Sequence, residues 1–171
     1  MAVLPVIKMG HPTLRKVAKP VTQFDIDLEN FVSDLIETMK LNDGIGLAAP
    51  QVNVSKRLFV VDKELINEDW QAQAYINPEI LSREGSERIE EGCLSIPGVR
   101  AEVDRPAKIR ARYQLLNGKT VEEEMDGVLA RVFQHEYDHL EGILFVDKLP
   151  LLKRKLLEPQ LKELEGAYAY R

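Results

Sequence analysis

Between Asp25 and Lys40 the apolar residues Leu28, Phe31, Val32, Leu35, Ile36 and Met39 recur every three to four positions, which predicts an amphipathic helix. Asn42, Asp43 and Gly44 end it. Arg57 to Asp62 (RLFVVD) is short, aromatic and β-branched, as a buried strand would be. Ala74 to Leu81 reads as another strand, with Pro78 at an edge or a bulge. From Glu87 to Arg105 short alternating pieces are punctuated by Gly92, Pro97 and Gly98. From Lys108 to Met125 two runs flank Asn117-Gly118, a hairpin signal. Val128, Leu129, Val132, Phe133, Glu136 and Leu140 mark a helix from about Gly127 to Glu141, closed by Gly142. The tail from Leu151 to Glu165 is again helical in period, and Pro159 is expected to break or kink it. The predicted fold class is α+β: antiparallel sheets packed around a central helix, with further helices at the N-terminal and C-terminal ends. No repeat or linker-like stretch divides the 171 residues, so residues 1–171 are expected to form a single domain.

Composition narrows the function classes. A hydrophobic fraction of 44% and a charged fraction of 30% suit a folded globular chain. The net charge of -5 disfavours general binding to DNA, which needs clustered cations. No run approaches the roughly 20 apolar residues of a membrane helix, and MAVLPVIKMGHP lacks the charged start and long apolar core of an export signal. Cys93 is the only cysteine, so no internal disulfide forms and a reducing cytoplasm is the expected setting. It is therefore inert core, a reactive thiol or a metal ligand.

The chemistry is concentrated in His135-Glu136-Tyr137-Asp138-His139, an H-E-x-x-H sequence. On a helix it places two imidazoles one turn apart on one face, near enough to share a metal ion, with Glu136 beside them as an acid–base group. A catalytic site needs a third ligand and an open position for water. The extended motif of one protease class would need His at position 145, where Phe145 stands. Glu158, Glu163 and Glu165 lie in a charged terminal helix whose default is solvation. His11, in the turn Gly10-His11-Pro12, is a weak choice. Cys93, in the loop segment EEGCLS, is the leading third ligand once the helix motif is present, although alone it would read as buried structure. Gly44 to Gln51 (GIGLAAPQ) has no Lys for a phosphate cradle; its small residues suggest close backbone packing ending in the amide donors of Gln51.

GIGLAAPQ, EGCLS and QHEYDHLEG, in this order, resemble the three signature motifs of bacterial peptide deformylases. The resemblance runs through nearly the whole chain. It implies that Cys93, His135 and His139 hold Fe(II), replaceable by nickel, cobalt or zinc. It further implies removal of the N-formyl group from the initiator methionine of nascent polypeptides, releasing formate. Glu136 would deprotonate the water, and Gln51 with the Leu94 backbone N–H would stabilise the oxyanion. Ile45, Val128 and Val132 match the residues that line the family's methionine slot. The backbone at Gly46 and Gly92 would hold an extended peptide by strand-type hydrogen bonds, and Arg100 matches an arginine near the substrate.

Arg131 departs from the aliphatic residue many relatives carry there. Its guanidinium is expected to cap the slot or to lie along its wall with the stem packed, giving a looser methionine preference. Lys153, Arg154 and Lys155 form a basic cluster in an acidic chain, a candidate ribosome contact of a bacterial cytoplasmic enzyme. The rival readings are a small H-E-x-x-H endopeptidase and a β-rich binding module with a closed structural metal.

Overall fold

The structure, a computed structural model, describes residues 2–168. Helix α1 spans Ile26–Leu41; Asp25 caps its start by accepting a hydrogen bond from the Leu28 amide. Seven strands follow: β1 (Gly46–Ala48), β2 (Leu58–Val61), β3 (Gln73–Glu84), β4 (Glu87–Cys93), β5 (Ile96–Arg105), β6 (Lys108–Gln114) and β7 (Thr120–Asp126). Helix α2 covers Gly127–Leu140 and α3 covers Leu151–Tyr168. The predicted hairpin is β6–β7, turned through Asn117-Gly118.

An antiparallel five-stranded sheet runs in the order β1-β2-β3-β6-β7, and β4 and β5 form a separate hairpin. The all-apolar β2 is buried on both faces. Leu58 and Val60 pack with Leu28, Val32, Leu35 and Met39 of α1, while Phe59 and Val61 pack with Leu129, Val132 and Phe133 of α2. A third cluster lies under the hairpin, where Ile96, Val99 and Val103 meet Phe145, Val146 and Leu161. Helix α2 is therefore enclosed by sheet on one side and hairpin on the other, and eleven of its fourteen residues are buried.

Two expectations about proline resolve differently. Pro78 lies in the interior strand β3, not at an edge, and the bulge reading holds: the register shifts between Ile76 and Glu79. Asn77 adopts φ 49° there, and its side chain bonds both the amide and the carbonyl of Val21. Of the break or kink expected at Pro159, the break is absent: α3 continues through it. Leu157, Leu161 and Leu164 on either side pack against the third cluster, and this burial offsets the roughly 3 kcal/mol that an interior proline costs a helix.

Candidate active site

The two histidines of α2 face the end of β4. Their ring centroids are 5.2 Å apart, and Cys93 Sγ is 3.4 Å from Nε2 of His139. Sulfur and nitrogen donors of Cys93, His135 and His139 all lie within 4.8 Å of one another, the metal-suited group found among the described residues. Nδ1 of His135 is occupied by Oε1 of Glu91 at 2.8 Å, leaving its other nitrogen for a ligand. One thiol and two imidazoles form a borderline-soft set suited to a single first-row divalent ion, and three donors leave a coordination position open.

Glu136 is buried beside this group, with Oε2 4.0 Å from His135 Nε2 and Oε1 without a hydrogen-bond partner among the described residues. Burial pushes its carboxyl up to about 7 against the opposing effect of His135. The close fit depends on Gly46, where a β-carbon would fall 2.7 Å from Glu136 Oε2. Gln51, in the short 3-10 turn Ala49–Val52, is held by the Ala48 amide, which donates to its Oε1 at 2.9 Å. Its Nε2 donates to Ser95 Oγ at 3.1 Å and lies 3.5 Å from Cys93 Sγ.

Four charged residues lock the site from behind. Arg105 grips Glu91 through two hydrogen bonds, of 2.6 and 3.0 Å, and reaches Asp138 of α2 at 2.7 Å. Arg131 adds a bond to Glu91 Oε2 at 2.7 Å. Burial alone would raise the Glu91 carboxyl, but hydrogen bonds from His135 and Arg105 hold it well below the usual carboxylate range. Burial opposes charge on His135, yet its contacts with Cys93 and Glu91 carry its pKa well above the ordinary value. Burial and the neighbouring His135 push His139 well below it.

A cavity of about 610 Å³ opens over these groups, between β1, the β4–β5 hairpin and the start of α2. Ile45, Gly46, Gln51, Gly92, Leu94, Arg100, Val128, Arg131 and Val132 all border it, so the sequence-expected residues converge. Val132 is buried, Ile45 half-buried and Val128 exposed at the rim. Arg100 is exposed at the mouth; it crosses Gly92 and lies 3.5 Å from the Glu90 carboxylate.

Of the two placements expected for Arg131, the structure has it bordering the cavity wall, with its guanidinium bonded to Glu91, the Val103 carbonyl and the Glu87 carbonyl instead of capping the slot. A buried guanidinium must satisfy its donors, and the hairpin supplies the acceptors. With the guanidinium committed to the hairpin, a stricter methionine preference is expected than the sequence alone suggested.

Residues weighed as other ligands lie elsewhere. His11 caps the turn Pro12–Arg15, its Nδ1 accepting from the Thr13 amide, and Glu158 pairs with Lys162 on α3. Glu163 and Glu165 are likewise outside the metal-suited group. In the basic cluster Lys153 and Lys155 are exposed, while Arg154 is paired with Asp147 at 2.8 Å. Sequence reasoning gave no role to Glu91, Ser95, Arg105 or Asp138. The usable signal for Glu91 is its place two residues before Cys93, which puts both side chains on one face of a strand.

No described helix is long and apolar enough to cross a membrane. Residues 3–155 match the family model for polypeptide deformylase. A peptide deformylase of Thermotoga petrophila is 48% identical over 156 residues, covering 91% of this chain and 92% of the relative. One from Cytophaga hutchinsonii is 45% identical over 163 residues, with coverages of 93% and 89%. The crystal structure of peptide deformylase from Thermus thermophilus superposes with a TM-score of 0.89 at 40% identity, covering 96% of this chain and 99% of that one. The matches span the three motifs and the elements that bring them together around α2, and the chain belongs to the polypeptide deformylase family.

Proposed function

We infer that the chain is a metal-dependent amide hydrolase that removes the N-formyl group from the initiator methionine of formylated nascent peptides, yielding formate and a free amine. The observation that carries this reading is the buried Glu136 carboxylate set beside the Cys93, His135 and His139 donors at the floor of an open cavity. A divalent ion held by the three donors supplies Lewis acidity, which makes water a nucleophile near neutral pH.

The chain's own groups do the rest. Glu136 takes a proton from the attacking water as its oxygen adds to the formyl carbon. The oxygen that gains negative charge accepts hydrogen bonds from Gln51 Nε2 and the Leu94 N–H. Glu136 then returns the proton to the departing nitrogen as the carbon–nitrogen bond breaks. Ile45, Val128 and Val132 supply the apolar wall for the methionine side chain. Strand β1 is at the sheet edge, so the peptide extends along Gly46 with Gly92 opposite, and Arg100 steadies it at the mouth.

Fe(II) is the proposed ion in the cell, with nickel, cobalt or zinc able to replace it, because a thiolate with two imidazoles suits all of them. A cytoplasmic setting and docking on the ribosome through Lys153 and Lys155, with Arg154 committed to Asp147, complete the proposal. The endopeptidase rival is disfavoured, since family and relatives alike are deformylases.

The deciding experiment measures formate released from an N-formyl-methionyl peptide by oxygen-free, cobalt-loaded protein, beside Glu136→Ala. Release that falls at least a hundredfold in the variant is expected. Absence of release from folded, cobalt-loaded protein would reject the reading.

A further inference from the structure

The three donors come from two elements, two from α2 and one from the end of β4, so the spacing of the site depends on how the hairpin registers against the helix. Arg131, one turn before His135 on α2, spans that junction. Nη1 donates to Glu91 Oε2 at 2.7 Å and to the Val103 carbonyl of β5 at 2.8 Å, and Nη2 donates to the Glu87 carbonyl of β4 at 2.8 Å. The other oxygen of Glu91 is the one on His135 Nδ1. A single carboxylate thus joins Arg131 to a metal-suited histidine on the same helix, and the strand that carries it ends in Cys93.

We propose that Arg131 is a positioning residue of the metal site, holding Glu91 against His135 and the hairpin against α2, and so setting the distance from Cys93 to the two imidazoles. The inference rests on the metal-dependent reading above. Arg105 also crosses from the hairpin to α2, through Asp138, but among the described residues its guanidinium makes no bond to the β4 or β5 backbone. Its bonds to Glu91 and Asp138 do not involve Arg131, so they are expected to persist when Arg131 is replaced. Glu91 then remains charged and paired, and what is lost is the three-point tie from helix to both strands. Lysine keeps the charge but not the planar fork, and can restore only part of that tie.

The test compares cobalt-loaded wild-type protein with Arg131→Met and Arg131→Lys, following transfer of cobalt to a competing chelator, the visible cobalt–thiolate spectrum, and kcat and KM for an N-formyl-methionyl peptide. Removing a group bonded directly to a ligand typically costs about 10–100-fold in metal affinity, and Arg131, which acts one contact further out through Glu91, is expected at the low end of that range. Cobalt held at least tenfold more weakly by Arg131→Met, with a changed spectrum, KM within about twofold and Lys intermediate, is the expected result. Wild-type affinity and spectrum in Arg131→Met overturns the proposal, as does a raised KM with cobalt affinity unchanged, which would make Arg131 a pocket wall only. Should Arg131→Met fail to fold, Arg131→Lys decides the matter: weaker cobalt binding with an altered spectrum supports the role, and wild-type values remove it. A wild-type protein that does not hold cobalt removes the metal-dependent reading as well, whereas wild-type behaviour of the variants removes this inference alone.

Discussion

Nδ1 of His135 lies 2.8 Å from Oε1 of Glu91, and this contact leaves the other ring nitrogen for a ligand. The same carboxylate neutralises two buried guanidinium groups, those of Arg105 and Arg131. Glu91→Ala leaves both without this partner, a change that costs about 3–5 kcal/mol when a buried pair is broken. Denaturant unfolding of the variant checks the loss, and a midpoint equal to wild type contradicts it.

Gln51 fills two roles, since its Oε1 accepts from the Ala48 amide and its Nε2 points to Ser95 and Cys93. Gln51→Ala is expected to lower kcat by about 10²–10³ through loss of an oxyanion donor. Cobalt binding should be retained, and steady-state formate release alongside a metal titration separates the two.

Gly46→Ala inserts a β-carbon 2.7 Å from Glu136 Oε2, so the carboxylate has to move. Displacement of a reacting group by about 1 Å costs on the order of 10²-fold in rate. The expected outcome is a kcat loss near that size with the fold intact, read from kinetics and circular dichroism together. Unchanged kcat would show that Glu136 has other room.

Arg131 commits its guanidinium to the hairpin, which leaves Ile45 and Val132 as apolar lining of the cavity for the proposed methionine slot. N-formyl peptides beginning with Met are therefore expected to outpace those beginning with Ser by at least tenfold in kcat/KM, since burying the thioether chain contributes about 1.5–3 kcal/mol. Equal rates for the two would restore the looser slot.

Asp147 ties the approach to α3. Burial alone would raise its pKa, but hydrogen bonds from Arg15, the Leu144 amide and Arg154 bring it below the ordinary value. A folded-state pKa below the unfolded one gives stability that is present above the unfolded value and is lost as pH falls through the folded one. Asp147→Asn should therefore cost about 1 kcal/mol at pH 7. That gap should narrow below about pH 4, where the unfolded carboxyl takes its proton. Melts of both proteins across that range test it, and a gap independent of pH refutes the charge argument.

Local pattern along the chain located the main elements and the chemical parts. Apolar period located α1, α2 and α3, Asn117-Gly118 located the β6–β7 turn, and the spacing of His135 and His139 put both rings on one face. These are local features, decided within a turn or a hairpin. The motifs also pointed to Cys93 as the partner of those histidines, whereas the sharing of Glu91 by His135, Arg105 and Arg131 and the space that Gly46 gives Glu136 became visible in the folded chain alone. The same holds for Pro159, whose local preference to break α3 yields to the packing of Leu161 and its neighbours. Those contacts join residues tens of positions apart, and their partners are selected by the burial of apolar faces and the need of every buried charge for an opposite one, which no local pattern encodes.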